Sequence, residues 1–463
     1  MEENESMETF AHAPVPEAVM KNALPAMVAM LMVMVYNLAD TFFIGQTQDA
    51  LQVAAVSLAT PVFLVTMAFG TVFGVGGTSV ISRALGEGRG DFAKKVSSFC
   101  MWGSVIVGIV WAAFMIICAN PILSIIGASA DTWDLAKDYL LIVAFASPFL
   151  MISSCFSNIV RADGQPGKAM VGMLVGNILN IVLDPIFILG LNMGCAGAAV
   201  ATVIGNAVGA VYYIVYFLRG KSNLSIHPRD FSMSGGVFKG VMAIGIPAAL
   251  GSALMSVSQV VVNAQMAVYG DMAIAAIGVA MKVTMISGVF TMGLGQGVQP
   301  LLGYCVGAKL WQRFKDVMKF SLILGFVLSL LFTGLCYLFV NQIVGAFLVD
   351  QTAFSYAVQF AQILLCTSFL FGIFFVIVGA LQAMGAGTES LIVNISRQGI
   401  IFIPAVFILG AALGMTGLVW AQPVADVLSL VLAVALYMRG TRKAMATERE
   451  ESQILSGEAL ELQ

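Results

Sequence analysis

The chain has 463 residues, 59% of them hydrophobic and 10% charged, with a formal net charge of -3 and a mean hydropathy of +0.95. A soluble domain carries about a quarter charged residues, so a globule of this size has too few polar side chains to cover itself in water, and most of the chain must face lipid. Such a composition excludes a disordered protein, and it excludes a nucleic-acid binder, which needs a basic stripe to neutralise phosphates.

The amino-terminal stretch MEENESMETF is acidic and has no basic region ahead of an apolar core, so it does not read as a cleavable signal peptide, and the first apolar segment is expected to remain as a helix. Segments long enough to cross a bilayer, about 20 residues each, recur near 20–44, 51–82, 96–119, 133–160, 168–190, 195–218, 238–268, 272–303, 317–341, 354–382, 389–411 and 415–438. The expected fold is therefore an all-α integral membrane protein with twelve transmembrane helices. Pro25, Pro61, Pro148, Pro185, Pro247, Pro300, Pro404 and Pro423 fall within or at the ends of these segments, where each removes a backbone hydrogen bond and permits a bend. Forty-seven glycines suit the close helix packing of a bundle in lipid.

Seven cysteines, Cys100, Cys118, Cys155, Cys195, Cys305, Cys336 and Cys366, lie apart in mostly apolar runs and read as small packing residues rather than a disulfide scaffold. His12 and His227 are the two histidines, both in polar stretches, and they are too few for a histidine metal site or a catalytic triad. No enzyme and no cofactor is expected on these grounds.

Basic residues set the orientation. Arg83, Arg89, Lys94 and Lys95 follow the second span, Arg161 and Lys168 the fourth, Arg219, Lys221, Arg229 and Lys239 the sixth, Lys309, Arg313, Lys315 and Lys319 the eighth, and Arg439, Arg442, Lys443 and Arg449 the twelfth. With Lys21 and Arg397, all of the 22 lysines and arginines except Lys137 and Lys282 lie at or near one side. That side is expected to be cytoplasmic, with both termini inside. Arg397, about a third of the way into the eleventh span, is expected to snorkel to that interface.

The chain also repeats itself. IVLDPIFILG at 181–190 aligns with IFIPAVFILG at 401–410, Arg219-Gly220 with Arg439-Gly440, Leu24-Pro25 with Ile246-Pro247, and Leu85-Gly86 with Val306-Gly307, each pair ahead of comparable features. Two six-helix halves with the same orientation follow, related by an axis along the membrane normal. The expected organisation is a tail at 1–19, an N-lobe at 20–218, a cytoplasmic linker at 219–237, a C-lobe at 238–438 and a tail at 439–463. Two parallel bundles facing each other imply a central cavity and alternating access.

Charges inside a span are costly and mark function by default. Asp40, in YNLADTFFIG, stands toward the outer end of the first helix with Tyr36 and Asn37 one turn before it. Asp184 on the fifth helix shares a face with Asn180 and Asn177, and Thr202 and Asn206 are spaced by one turn on the sixth. Two carboxylates with amide and hydroxyl oxygens nearby suit uptake of a proton or coordination of a small cation by hard oxygen ligands. Asn177 and Asn206 are expected to serve as helix-to-helix hydrogen bonds. In the second half Pro404 replaces Asp184, and Gln259, Asn263, Gln265, Gln359 and Gln362 stand where acids would be needed, leaving Lys282 and Asp426 as the charged exceptions. Lys282 either faces the cavity or is neutralised by a carboxylate. Methionines crowd the first helix (Met27, Met30, Met32, Met34) and the eighth (Met281, Met285, Met292), giving adaptable, polarisable walls. Tyr36, Asn37, Met281, Lys282 and Met285 are the candidate substrate-cavity residues.

Taken together, ADTFFIG, LGEGRGDFAKK with its counterpart VGAKLWQRFKD, RADGQPGKAM, NILNIVLDPIFILG and SRQGIIFIPAVFILG resemble the multidrug and toxic compound extrusion family over roughly residues 15–440, in its DinF-like and MepA-like prokaryotic branch. The resemblance implies an N-lobe cation site at Asp40, Asn180, Asp184 and Thr202, with Asn158 as a neighbour. It also implies H+ or Na+ as the coupling ion, amphipathic and often cationic drugs as substrates, a monomer, and residence in the bacterial inner membrane. The acids that the NorM-like branch carries in its seventh and tenth helices are missing here. Rival readings are a flippase for lipid-linked precursors, which wants a strongly basic cavity, a major-facilitator transporter, whose basic loop is loosely echoed, and a receptor or scaffold, which has no use for buried carboxylates.

Overall fold

A computed structural model describes residues 8–47, 49–220, 222–348 and 350–461. Among these residues, eleven helices are long and apolar enough to cross a membrane, and a twelfth span is a pair bent by 51°. In chain order they are α1 (Val15–Gly45), α2 (Ala50–Gly86), α3 (Gly90–Ile117), α4 (Trp133–Ala162), α5 (Pro166–Asp184, continued by a π-helical turn, Pro185–Gly190) and α6 (Gly194–Leu218). The second half supplies α7 (Val237–Met266), α8 (Asp271–Gly307), α9 (Trp311–Leu338), α10 (Gln351–Ser368 and Phe371–Ala383), α11 (Gly387–Ile395, a π turn at Ser396–Ile400, and Phe402–Leu413) and α12 (Met415–Glu461). The twelve expected segments and the twelve spans coincide to within a few residues, except at α12, which runs on as helix through the expected tail.

Neither α1 nor α7 packs solely against its own half of the chain. The first half of α1 contributes Ala18, Val19, Ala23 and Met27 to a core with Leu294, Val298, Leu301 and Leu302 of α8 and Phe314 and Val317 of α9. Reciprocally, the start of α7 sets Val237 and Val241 among Val80, Phe99, Phe156 and Ile159 of the first lobe. The expected boundary at residue 20 therefore shifts: α1 starts at Val15, and Phe10 ahead of it is 1% exposed, its carbonyl accepting from Arg313 Nε at 2.6 Å. The linker is likewise no free tether. His227 and Ile226 carbonyls accept from Ser98 and Trp102 of α3, at 2.7 and 3.1 Å, and Leu224 is buried. Lys221 and residues 1–7 lie outside the described residues.

The lobes meet through glycines. Gly76 and Gly245 let α2 and α7 touch backbone to backbone, Gly86 and Gly307 do so for α2 and α8, and Gly293 and Gly297 of α8 face Met27 and Ala23 of α1, where an added Cβ would lie 2.6 Å from a Cα atom. A side chain would prevent such an approach, which is the packing on which helices in lipid depend. All of these contacts lie in the half of the bundle that carries the basic loops, where Ser79 Oγ also donates to the Gln382 carbonyl across the lobes. The outward surfaces stay apolar, as at Ile117, Ile125, Phe145 and Leu218, each more than 70% exposed and suited to lipid.

Candidate functional site

The site forms where α1, α4, α5 and α6 converge in the half away from the basic loops. Gly176 of α5 and Gly205 of α6 bring these helices together, an added Cβ on Gly176 lying 2.7 Å from the Gly205 carbonyl oxygen. One turn further along each helix, that approach places Asn180 Nδ2 3.2 Å from Thr202 Oγ1. Asp184 follows on the same face of α5, fully buried, at the junction between α-helix and π turn. Pro185 carries no N–H, so the regular ladder fails at this point, and the wider turn holds the carboxylate inside the lobe.

Asp40 of α1 lies in electrostatic reach of Asp184, and Tyr36, one turn before Asp40, lies beside both acids. Tyr139 of α4, 6% exposed, lies within electrostatic reach of Asp40, Asp184 and Tyr36. The polar oxygens of this cluster are unusually short of partners. Asp40 Oδ1, Asn180 Oδ1 and both carboxylate oxygens of Asp184 are buried and accept no hydrogen bond from the described residues, and Asn177 Nδ2 on the same helix donates none to them. Buried acceptors are nearly always satisfied, and leaving one unsatisfied costs about 1–3 kcal/mol. Four such oxygens on three neighbouring side chains make a set of hard ligands suited to a proton or a small cation.

Several expected placements change. Asn158 does not join the cluster. It lies about five turns, roughly 28 Å, along α4 from Tyr139, where its Oδ1 accepts from Arg161 Nη2 at 3.0 Å and its Nδ2 donates to the Ser154 carbonyl. Arg161, expected in a loop, is 3% exposed and donates through Nη1 to Gln296 of α8 at 3.2 Å, so this network spans the two lobes. Asn206 bonds the backbone of its own helix at Thr202, and Asn177 Nδ2 donates to none of the described residues. The reason is rotation: each amide's reach is decided by the neighbour that its face meets, which spacing alone does not encode.

The cavity residues also divide. Asn37 and Thr41, with Met34, Leu38, Lys282, Met285 and Ile286, line a pocket of about 110 Å³ between α1 and α8. Tyr36 belongs to the acid cluster, and Met281 packs against the core of the second lobe. Lys282 lines this pocket, with its ammonium 5.1 Å from the Phe347 ring centroid, and no described carboxylate lies within ion-pair distance. Arg397 does not snorkel. Its Nε donates to Asp426 Oδ1 at 2.8 Å, with side-chain exposures of 13% and 4%. Phe371, Phe374 and Phe375, just past the break in α10, surround its guanidinium, while Thr367 and Gln422 also donate to Asp426.

A sequence model of the MatE family matches twice, over residues 25–186 and 247–408. The chain belongs to the MatE family. Within it, this MatE chain is 33% identical over 433 residues to the multidrug export protein MepA of Staphylococcus aureus, covering 94% of this chain and 96% of the relative. Two solved structures share its fold at 24% identity and a TM-score of 0.89: a MATE protein in complex with MaL6, covering 96% of this chain and 99% of the other, and the outward-facing conformation of a multidrug resistance MATE transporter of the MOP superfamily, covering 95% and 98%. A π turn ends α5 at Pro185–Gly190 and another interrupts α11 at Ser396–Ile400, but the paired acids Asp40 and Asp184 lie in the first matched segment alone. Tyr139 is the one member of the cluster that sequence reasoning did not identify, since an aromatic in an apolar helix carries no distinguishing signal.

Proposed function

We propose that this MatE chain is an antiporter that exports amphipathic, often cationic compounds and is driven by inward movement of H+ or Na+ through the N-lobe cluster. The observation that carries the proposal is the group of partnerless buried oxygens on Asp40, Asn180 and Asp184. A carboxylate in a membrane interior is costly unless it binds a positive charge, and its uptake and release can drive a cycle only if the ion has different affinities for two states. The packed seam near the basic loops fits a state closed on that side. By the distribution of basic residues that side is cytoplasmic, with both termini inside the bacterial inner membrane. In the proposed cycle Asp40 and Asp184 take up the ion, α1 bends near Pro25 and displaces the drug, and the lobes rock to open the other side. The chain is proposed to work as a monomer.

Ethidium efflux from proteoliposomes with an imposed pH or Na+ gradient tests the reading. Wild type should respond to one gradient, and Asp40→Asn should abolish the response while remaining folded. Gradient-driven efflux at the wild-type rate by Asp40→Asn would refute the role of the cluster.

A further inference from the structure

The pocket between α1 and α8 is a site that the ion-binding cluster does not use. Its charged lining residue is Lys282, roughly three turns into a spanning helix of 37 residues, half-buried and with no described carboxylate within ion-pair distance. A lysine at such depth costs several kcal/mol, and contact with the Phe347 ring offsets only part of that. Arg397, a basic side chain buried in α11, has its own carboxylate, Asp426. Lys282 is therefore left with a charge to satisfy from outside the protein.

The rest of the pocket shows what would bring it. Met34 and Met285 offer thioethers suited to the edge or face of an aromatic ring. The Asn37 amide in the lining is engaged by the Val33 carbonyl and by the neighbouring Tyr36, which leaves the Lys282 ammonium as the donor for a ligand. A volume of about 110 Å³ holds one end of a drug-sized molecule rather than the whole. We propose that this pocket binds the carboxylate-bearing end of amphipathic aromatic substrates, with Lys282 as the counter-ion. The proposal rests on the export reading for its substrates, and it narrows their chemistry: zwitterionic aromatic drugs, which carry a carboxylate as well as a cationic amine, are favoured over the same scaffold without its negative charge.

Ciprofloxacin and its methyl ester share the ring system and the amine and differ in that charge. Their binding to purified protein in nanodiscs can be followed by fluorescence. Wild type should bind the acid about tenfold more tightly than the ester, as expected for a close charge pair in a partly buried site. Lys282→Met should bring the ratio near one, and Lys282→Arg should restore most of it, with thermal melting confirming that both variants are folded. An unchanged ratio in Lys282→Met, or no preference in wild type, would overturn the proposal. Because binding is measured without a gradient, a wild type that prefers the acid yet shows no gradient-driven efflux would sink the antiporter reading while supporting this subsite.

Discussion

Asp426→Asn isolates the ion pair in the second lobe. The substitution keeps the size of the side chain but removes its charge, so the Arg397 guanidinium, now 2.8 Å from a carboxylate oxygen, would face a neutral amide. With 13% and 4% of the two side chains exposed, water cannot replace the lost counter-ion. Removing one partner of a buried pair costs about 3–5 kcal/mol, whereas replacing both by apolar groups is often neutral or better. The rings of Phe371, Phe374 and Phe375 are present in both proteins and do not alter the difference. Thermal and denaturant unfolding in one detergent should thus show Asp426→Asn destabilised by about 3 kcal/mol or more. Adding Arg397→Met should recover at least half of the loss. Because Thr367 and the three phenylalanines flank the break in α10, the single variant should also exchange amide hydrogens faster across 365–375. A single variant within about 0.5 kcal/mol of wild type, or a double variant no more stable than the single, would refute the assignment of a desolvated pair.

Three further outcomes follow from the geometry. Thr202→Val removes the acceptor for Asn180 Nδ2, a bond worth about 1 kcal/mol; the half-saturating concentration of the coupling ion in a transport assay should rise several-fold, and an unchanged value would show that Thr202 does not position Asn180. Gly297→Ala sets a methyl 2.6 Å from the Ala23 Cα, where ordinary contact begins at 3.4 Å, so α1 and α8 must part by about 0.8 Å. Such overpacking costs about 1–3 kcal/mol, and hydrogen exchange in α1 around residues 18–27 should accelerate, whereas unaltered protection would count against a seam that depends on glycine. Gly176→Ala forces α5 from α6 in the same way, and it should weaken ion-dependent transport more than it lowers the melting temperature; the reverse order would mean that the glycine contact is structural alone.

How far the sequence reaches is shown by the two charged clusters. Asp40 and Asp184 were legible because charge inside an apolar segment is costly wherever the helix points, and their neighbours Tyr36 and Asn180 were legible because one turn of helix fixes which side chains share a face. Arg397 was legible as a charge but not as a partner. Asp426 lies 29 residues away on another helix, and whether the guanidinium reaches it or the membrane surface depends on the rotation and tilt of both. Asn158 fails for the same reason: its helix was evident, but the face toward Arg161 and Gln296 was set by α8.

By itself the sequence determined the twelve spans, their alternating sense, the two repeated halves and the acids placed in the first of them. These follow from the cost of polar groups in lipid and from helical periodicity, both local properties. Tertiary structure alone decided that α1 and α7 are shared between lobes, that Tyr139 comes within electrostatic reach of the two acids, that Arg397 pairs with Asp426 and that Lys282 meets no carboxylate among the described residues. Each of those outcomes depends on which helix faces meet, and helices that are apolar on every side carry no pattern to say so.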